Sequence, residues 1–593
     1  MRGFACAAVL MIAMAAPIST VFSQEDPALL REARTRHTLP AATSPDAGSF
    51  EIFAEDFWKW RARHQPFTAD DIPRIEHPAG PRDWSASSVA KQSEERGQFE
   101  SRWKAFDPRG WPVPRQVDYR LMGSALARVH WELDVNRRWE RDPTFYVDQT
   151  LGALFDTLLP PPPFDARRSR EMIERMDNIP AILESAKVNL RPAAPFASLA
   201  IDSLKNIRSQ LSAVNREVGP MLSSGAPNSR LDLAKEFERS TERAIVALEA
   251  YRAWLEKQLP SMPSETAVGR DAYEFFLRNV ALLPYSPEQL LTLSRQEWER
   301  AVAFEQYEKQ RNQGLPELAQ AASSNEQVHH TERDELAIRK FLEAKGVLTV
   351  PPGMQHYTVR AAPGYLSALS DFGELDDFTS ATRLKEDCIR WIDPPSAKMG
   401  YFWLATTKDP RPIIVHEGVP GHYFQLALSW SHEDPIRRHY YDSGANEGLG
   451  FYAEEMMLQA GLFDDSPRTR EIIYSFMRLR ALRVEVDVKL ALGQFTLEQA
   501  TGYLARTVPM DAETAKREAA SFAAAPGQAI SYQIGKIQIV RFLTDARMKQ
   551  GDSFRLRAFH DFLWKNGNVP IALQRWEYLG REDDLPQLGG GKH

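Results

Sequence analysis

The stretch that most constrains this chain is Ile414–Gln425, which reads I-V-H-E-G-V-P-G-H-Y-F-Q. It places His416 and His422 on either side of Glu417, directly after an apolar pair and before an amphipathic run. In the helical signature H-E-x-x-H, two histidines four residues apart lie on one helix face and reach one zinc ion. Here the histidines are six residues apart, with a proline and a glycine between them.

This wider spacing is incompatible with a straight helix. Six residues turn an ideal helix by about 600°, which leaves the two rings about 120° apart around the axis and about 9 Å apart along it. Pro420 cannot donate a hydrogen bond to the carbonyl of His416 and clashes with it, so the regular hydrogen-bond ladder has to break. Gly421 tolerates the conformations needed to loop out the extra residues. We therefore expect a broken or bulged helix with both rings converging on one point; the alternative is a helix that ends at Val419 and leaves His422 uninvolved.

A catalytic zinc site needs a third protein ligand and an open position. The downstream candidates are acidic residues and histidines, namely His432, His439, Asp442, Glu447, Glu454 and Glu455. Both of these histidines lie in a polar, proline-interrupted loop, whereas Glu447 opens a predicted helix 25 residues after His422. We expect Glu447 to be the third ligand; the alternative is an acid in the first helical turn that stabilises the helix dipole. Glu454 lies on nearly the same face and is predicted to support a ligand histidine.

Two further groups are predicted to take part in catalysis. Glu417, adjacent to a ligand, is the expected general base for a zinc-bound water. Further along, four residues at i, i+4, i+7 and i+8 would share one helix face: Gln528, Tyr532, Gly535 and Lys536. Tyr532 is the predicted oxyanion donor, and the alternative is a buried tyrosine with a satisfied hydroxyl. Gln528 or Lys536 would bind a substrate carboxylate, which would make the protein a carboxypeptidase or dipeptidase.

An aromatic-rich run, Met399–Thr406, precedes the histidine motif and is predicted to be extended. With Trp403 in it, this run would be an edge strand that pairs with the backbone of an extended peptide substrate. The alternative is a core strand. Val347–Val350 and Tyr357–Val359 are also predicted strands, which gives a small β-sheet next to the metal-binding helix.

The rest of the chain predicts a mainly α fold. Apolar residues recur with helical periodicity, and helices are expected near Phe50–Arg63, Leu231–Leu259, Asp271–Leu283, Ser286–Asn312, Glu335–Lys345 and Glu471–Gly493. We expect residues 24–97 to form an N-terminal extension, residues 98–265 a helical N-terminal lobe, and residues 266–593 the catalytic lobe.

The N-terminus predicts export. Residues 1–23 resemble a secretory signal peptide, with Arg2 before the apolar stretch Phe4–Pro17 and a cleavage site after Ser23. No other run is long and apolar enough to cross a bilayer. Cys6 lies in this leader, so Cys388 would be alone and no intrachain disulfide is expected. The net charge of −7 argues against a nucleic-acid partner. We expect a periplasmic or secreted soluble protein of undetermined oligomeric state.

Four ordered motifs resemble those of the bacterial family DUF885. They are H-E-x-x-P-G-H-x-x-Q at His416–Gln425, N-E-G with Y-A-E at Asn446–Glu454, P-G-Q-A-x-S-Y-x-x-G at Pro526–Gly535, and L-R-x-F-H-D at Leu556–Asp561. The likeness extends from about Phe99 to Leu579. The family is grouped with the zincin-type peptidases and is distantly similar to the Taq-type carboxypeptidases and to angiotensin-converting enzyme.

The resemblance implies a large multi-helical, zincin-like body of the gluzincin type, with a deep active-site cleft and zinc on His416, His422 and Glu447. The widened motif is also similar to that of dipeptidyl-peptidase three, which has one extra residue. The chain departs from the family at Ala491, where members usually carry a histidine. If that histidine contacts substrate, its absence alters specificity or weakens catalysis.

Together these features predict an exported zinc metallopeptidase that hydrolyses short peptides, with Glu417 activating a zinc-bound water. One alternative is a peptide-binding relative that keeps the metal and has weakened catalysis. Ala491 favours it, and the intact Glu417 and Tyr532 oppose it. The other alternative is a zinc amidase acting on a non-peptide substrate. The sequence leaves exopeptidase and endopeptidase activity equally open.

Overall fold

The computed structural model describes residues 45–67, 76–78, 80, 82–222, 230–508 and 510–589. The predicted signal peptide, residues 1–23, and residues 24–44 of the predicted extension lie outside the described residues. The chain divides into two units, residues 1–51 and residues 52–593. Of the first unit, only the start of one helix, residues 45–51, is described. The lobe boundaries expected near residues 97 and 265 stay predictions.

The described chain is mainly helical, as predicted. The helices before the histidine motif are α1 (Pro45–His64), α2 (Ala86–Ala105), α3 (Val113–His130), α4 (Arg138–Arg141), α5 (Pro143–Val147), α6 (Ala153–Leu158), α7 (Ala166–Asn189), α8 (Ala194–Ser203), α9 (Ile207–Val218), α10 (Arg230–Gln258), α11 (Arg270–Phe275), α12 (Pro287–Arg311), α13 (Ser324–Lys345), α14 (Gly364–Ser367), α15 (Tyr401–Lys408) and α16 (Arg411–Ile413). Within the described residues, no helix is long and apolar enough to cross a membrane.

The helices from the histidine motif onward are α17 (His422–Trp430), α18 (Pro435–His439), α19 (Ser443–Ala460), α20 (Pro467–Ala491), α21 (Leu497–Thr507), α22 (Ala512–Ala524), α23 (Ser531–Gln550), α24 (Leu556–Lys565) and α25 (Ile571–Leu579). Single π-helical turns extend α3, α5, α11 and α16 at Trp131–Val135, Asp148–Gly152, Phe276–Val280 and Ile414–Gly418. Short 3₁₀ turns occur at Gly219–Met221, Leu259–Ser261, Gly551–Ser553 and Leu585–Gln587.

A small sheet lies beside the motif. Its strands are β1 (Tyr357–Ala361), β2 (Asp376–Asp377) and β3 (Cys388–Ile392), in the order β1-β3-β2. β1 runs parallel to β3 with Tyr357 opposite Cys388, and β2 runs antiparallel with Asp376 opposite Arg390. A Cβ placed on Gly418 would lie 2.6 Å from the Tyr357 ring, so β1 packs directly against the motif.

Two predicted helix ends are confirmed, namely the start of α12 and the end of α13. Ser286 caps α12, because its side chain accepts the backbone N–H of Gln289 and the Gln289 side chain accepts the N–H of Ser286. α13 ends at Gly346 in the left-handed conformation, as expected, but begins at Ser324, eleven residues before the predicted start at Glu335.

The predicted strand at Met399–Thr406 is wrong, because this segment forms α15. Asp511 accepts the backbone N–H of Tyr401 at 3.2 Å and so caps the first turn from a distant segment. The aromatic side chains are partly buried and pack against the core, and the rings of Phe402 and Phe476 are 5.3 Å apart. Aromatic β-propensity is weak, and tertiary packing overrides it here. Trp403 therefore does not lie on a strand that could pair with a peptide.

The expected strand at Val347–Val350 is also absent. Asp561 accepts hydrogen bonds from both the backbone N–H and the hydroxyl of Thr349, at 2.9 and 2.7 Å. The side chain of Asp561 thus takes the place of a neighbouring strand as the hydrogen-bond acceptor. The third predicted strand, at Tyr357–Val359, is confirmed as β1.

An apolar cluster anchors the motif in the fold. Ile414, Val415 and Val419 are fully buried, and so are Phe424 and Leu426. They pack with residues of β1, α19, α23 and α24. Burial of each such side chain contributes about 1.5–3 kcal/mol, so the apolar residues around the two histidines fix the motif rigidly in the fold.

Candidate metal centre

The helix that carries the motif is interrupted between the two histidines, as the sequence predicts. His416 lies in the π-helical turn Ile414–Gly418, where Val419 donates its N–H to the carbonyl of Ile414 at 2.8 Å. The Val419–Pro420 peptide bond is cis, and the new helix α17 begins at His422. The helix therefore does end beside Val419, as in the alternative, but His422 begins a second helix and lies in one group with His416 and Glu447.

Two contacts accommodate this interruption. The indole N–H of Trp564 donates to the carbonyl of Pro420 at 2.6 Å, so the broken ladder leaves that carbonyl satisfied. A Cβ on Gly421 would lie 1.8 Å from the carbonyl oxygen of His416, so only glycine fits this close approach. Pro420 and Gly421, which widen the spacing between the two histidines, are therefore the residues that make the turn possible.

Three side chains converge after this turn. Ligand atoms of His416, His422 and Glu447 all lie within 4.8 Å of one another, and all three residues are buried. Oε2 of Glu447 is 3.1 Å from Nε2 of His422 and 3.5 Å from Nε2 of His416. Glu447 lies in the second turn of α19, not the first, because the helix begins at Ser443 and Asp442 caps it. The alternative role of Glu447 as a first-turn acid is therefore excluded.

The donor set fits a tetrahedral cation. Zinc bonds to histidine nitrogen and carboxylate oxygen of about 2.0–2.2 Å imply donor atoms separated by roughly 3.3–3.5 Å, close to the two separations at Glu447. Burial opposes ionisation of Glu447, but His422 and His416 outweigh it and hold the pKa of this carboxyl well below its usual range. The glutamate is therefore ionised, as a ligand has to be.

Glu454 fixes the orientation of the first histidine, as predicted for a supporting residue. Its Oε1 is 2.7 Å from Nδ1 of His416. A carboxylate only accepts hydrogen bonds, so Nδ1 carries a proton and Nε2 is the ring atom that faces the cluster. Burial and Arg480 lower the pKa of His416, but Glu447 and Glu454 raise it more, to about 9. The same negative field favours a divalent cation at this point.

The predicted base and oxyanion donor lie beside this cluster. Oε2 of Glu417 is 4.0 Å from Nε2 of His422. The ring of Tyr532, on α23, stacks at 6.1 Å on the ring of His416 with an angle of 12° between the planes. Burial and the charge of Glu447 raise the pKa of Tyr532 well above its usual value, so its hydroxyl keeps its proton.

A cavity of about 1160 Å³, part of it open to solvent, joins these groups. Its described lining includes Gln528 together with His416, Glu417, His422, Glu447 and Tyr532. Gln528 lies in the turn before α23, which begins only at Ser531, so the shared helix face expected for Gln528 and Tyr532 does not form. The two residues nonetheless line the same cavity.

Lys536 is directed elsewhere. Its ammonium group donates to Glu455 at 2.8 Å and lies 3.2 Å from a carboxylate oxygen of Glu297, in a different cavity. Trp403 is also absent from the described lining and lies beneath the guanidinium of Arg390. The structure therefore places neither Lys536 nor Trp403 in the described lining of this cavity.

Sequence reasoning missed the acidic wall of the cavity. Besides Glu417 and Glu447, four carboxylates line it among the described residues: Asp148, Asp156, Glu374 and Asp376. The hydroxyl of Tyr357 donates to Asp376 at 3.3 Å, and burial raises the pKa of that carboxyl to about 6 although Arg390 opposes the rise. No local signal marks Asp376, which lies in a two-residue strand far from the motif in sequence.

The departure at Ala491 lies away from the cavity. Ala491 is 1% exposed and packs in an apolar cluster with Tyr273, Val488 and Ile530. One turn earlier, Asp487 accepts N–H groups of Gly527 and Ala529 at 2.9 and 3.0 Å, and so holds the turn that leads into α23. The change at Ala491 is therefore a change in core packing, not in the cavity lining.

The fold is shared with two solved structures. One is a candidate lipoprotein of unknown function from Shewanella oneidensis, 17% identical, with a TM-score of 0.65 over 89% of this chain and 98% of that chain. The other is a candidate lipoprotein from Colwellia psychrerythraea, 18% identical, with a TM-score of 0.71 over 89% of this chain and 96% of that chain. No curated protein matches the chain.

The sequence profile of a family described as "Bacterial protein of unknown function (DUF885)" matches residues 79–576, which is most of the chain. The matched range contains the interrupted motif, Glu447 and Glu454 of α19, and the turn before α23. The chain belongs to this bacterial family, DUF885.

Proposed function

We propose that this protein is a zinc-dependent metallohydrolase that cleaves amide bonds of short peptides. One observation carries the proposal, namely the convergence of His416, His422 and Glu447 within 4.8 Å at the wall of a cavity. Two histidine nitrogens and one carboxylate oxygen, with the remaining side facing a cavity, are the ligand set of catalytic rather than structural zinc. When bound there, zinc would supply a Lewis acid and lower the pKa of water.

The residues around the ligands supply the proton transfers. Glu417, with its carboxylate 4.0 Å from Nε2 of His422, would take a proton from the attacking water and return it to the leaving amine. Tyr532, with its hydroxyl kept protonated, would donate a hydrogen bond to the oxyanion that develops on the scissile carbonyl. Glu454 would keep His416 in one tautomer throughout the cycle.

The sign of charge in the cavity favours a cationic substrate group. The described lining carries four carboxylates beyond Glu417 and Glu447 and no lysine or arginine, while Arg138 pairs with Asp148 and Arg390 with Asp376 from behind the lining. Peptides that present an ammonium group, either a free amino terminus or a basic side chain, would be attracted to this wall. Of the two residues predicted to bind a substrate carboxylate, Lys536 lies in another cavity, which leaves only Gln528 in this lining to support a carboxypeptidase.

We propose that the protein acts outside the cytoplasm. The apolar leader at Phe4–Pro17 and the cleavage site after Ser23 support export. The description of both structural relatives as candidate lipoproteins agrees with an envelope location for proteins of this fold. Short peptides in the bacterial periplasm are the expected substrates.

The proposal is tested by metal content and by the general base. Purified protein should contain one zinc per chain, and a library of short unblocked peptides should be cleaved. Glu417→Gln should reduce cleavage by about 10²–10⁴-fold and leave the zinc content unchanged. Glu433→Gln, at an exposed position, is the matched control and should keep full activity.

Each failure has a different meaning. Protein without stoichiometric zinc would overturn the metal centre. Zinc-loaded protein in which Glu417→Gln changes no hydrolysis would indicate a peptide-binding relative without turnover. Glu417-dependent cleavage of acylated amines, with no cleavage of peptides, would identify a non-peptide amidase.

A further inference from the structure

Arg480 lies behind the candidate metal centre, on α20, and is 4% exposed. Its Nη2 is 2.9 Å from Oε1 of Glu454, and its Nη1 donates to Oε2 at 3.2 Å. One guanidinium therefore holds both oxygens of a carboxylate that is itself 1% exposed. Two-pronged pairing of this kind fixes the plane of the carboxylate as well as its distance.

The guanidinium group of Arg480 is itself held in place by aromatic side chains. Its carbon lies 5.0 Å from the ring centre of Phe451 and 5.5 Å from that of Phe476, so it is packed between aromatic rings. Oε1 of Glu454 is shared with Nδ1 of His416 at 2.7 Å. The resulting chain runs from the rigid core through Arg480 and Glu454 to His416.

We propose that Arg480 is a positioning residue for the metal centre. By fixing Glu454, it holds the His416 imidazole in the tautomer and orientation that direct Nε2 toward His422 and Glu447. The inference rests on the proposed function, because it assigns Arg480 a role only if these residues bind a metal. Arg480 itself is absent from the described lining of the cavity, and its Nη2 also lies 3.4 Å from Nδ1 of His416, so it positions this histidine both directly and through Glu454.

A neighbouring arginine provides the control. Arg483 lies on the same helix and is 6% exposed, but its guanidinium pairs with both oxygens of Glu518 at 2.6 Å. It stacks on Tyr532, with no hydrogen bond or ion pair to His416 or Glu454 among the described contacts. Arg480→Met and Arg483→Met therefore remove equal charges from similar depths, and only the first releases Glu454.

The loss of a positive charge and the loss of a positioning contact are expected to change zinc affinity in opposite directions. Removing a positive charge near a cation site should by itself strengthen zinc binding, or leave it unchanged, in both variants. Loss of a partner that orients a ligand weakens metal binding by about 10–100-fold. We therefore expect zinc to dissociate 10–100-fold more readily from Arg480→Met, while Arg483→Met binds it at least as tightly as the wild type.

The experiment measures zinc affinity of the full chain by competition with a chromogenic chelator, alongside thermal unfolding of the zinc-free proteins. Arg480→Lys keeps the charge without the two-pronged contact, so its zinc affinity should lie between those of the wild type and Arg480→Met. If Arg480→Met does not fold, the zinc affinity of Arg480→Lys tests the inference by itself. Wild-type affinity in both Arg480 variants would overturn the inference, and so would equal weakening in Arg483→Met. Wild-type protein that binds zinc without cleaving peptides would overturn only the hydrolase proposal, whereas absence of zinc binding would overturn both.

Discussion

Gly448 of α19 and Gly535 of α23 meet backbone to backbone, since a Cβ on Gly448 would lie 2.5 Å from Cα of Gly535. On the other side, a Cβ on Gly535 would lie 2.1 Å from the carbonyl oxygen of Gly444. Glu447 directly precedes Gly448, and Tyr532 lies one turn before Gly535. This helix crossing therefore sets the distance between the candidate ligand and the candidate oxyanion donor.

Gly535→Ala is expected to lower the free energy of unfolding by about 1–3 kcal/mol, because a methyl group at this crossing has no space and the helices have to separate. Gly97→Ala is the control: Gly97 lies within α2 with no atom within 4 Å of an added Cβ, so alanine there should be neutral or stabilise by up to about 1 kcal/mol. Urea unfolding of both variants measures the difference. Equal stability of Gly535→Ala and the wild type would show that the crossing is looser than its geometry implies.

This crossing illustrates what local sequence does and does not reveal. The interruption at Pro420 and Gly421 could be predicted, because proline and glycine constrain the backbone by themselves. The glutamate at position 447 could be predicted for a similar reason, since a helix and an acid at a suitable distance are local features. The spacing places Gly535 on one helix face with Tyr532 and Lys536, but it does not predict that Gly535 admits the backbone of another helix.

Trp403 and Lys536 lie where the sequence does not predict them for one shared reason. Residues that are distant in sequence determine the position of each side chain. Trp403 lies on a helix because Asp511 caps its first turn. Lys536 turns away from the candidate site because Glu455 and Glu297 neutralise it on the other side of α23. No pattern within either segment carries this information, and burial of a charge depends on partners that only the fold supplies.

Tyr532→Phe tests the predicted oxyanion donor. The phenyl ring should keep its stacking on His416, while the hydroxyl is lost. We expect kcat to fall by about 10²–10³-fold, as for removal of one oxyanion donor, with KM and zinc affinity close to wild type. Tyr474→Phe, in the separate cavity that contains Lys536, is the control and should change none of these values. An unchanged kcat in Tyr532→Phe would remove the residue from the mechanism.

The acidic wall predicts which end of a peptide is recognised. N-terminal acetylation of a short peptide without basic side chains should raise KM about tenfold, or about 1.4 kcal/mol, because an ammonium–carboxylate contact is lost. Amidation of the C-terminus should have little effect. A lysine placed in the acetylated peptide should restore binding if the wall recognises a basic side chain.

Asp156→Asn should reduce the penalty of acetylation, since Asp156 lines the cavity. Asp371→Asn is the matched control, because Asp371 pairs with Arg517 at the surface. A larger effect of C-terminal amidation than of acetylation would contradict the prediction and favour a carboxypeptidase.

His560 makes stability sensitive to acid. It is fully buried on α24, with Nδ1 2.8 Å from the carbonyl oxygen of Val347 and Nε2 2.8 Å from the hydroxyl of Tyr452. Nδ1 must donate to the carbonyl, so Nε2 accepts from the tyrosine and the ring is neutral. Burial lowers the pKa of His560 to about 4, despite the bond to Val347.

An unfolded histidine has a pKa of about 6.5. Between pH 6.5 and pH 4, His560 therefore binds a proton in the unfolded chain but not in the folded protein. The contribution of His560 to stability is therefore complete above pH 6.5 and is lost as the pH falls toward 4, by about 2 kcal/mol between pH 7 and pH 5. In His560→Gln, which keeps a donor and an acceptor without titrating, the fall in the free energy of unfolding over this range should be smaller by that amount. His329→Gln, at an exposed histidine, should behave as the wild type. Urea unfolding of the zinc-free proteins at both pH values measures the difference, and an equal fall in wild type and His560→Gln would show that His560 is protonated in the folded protein.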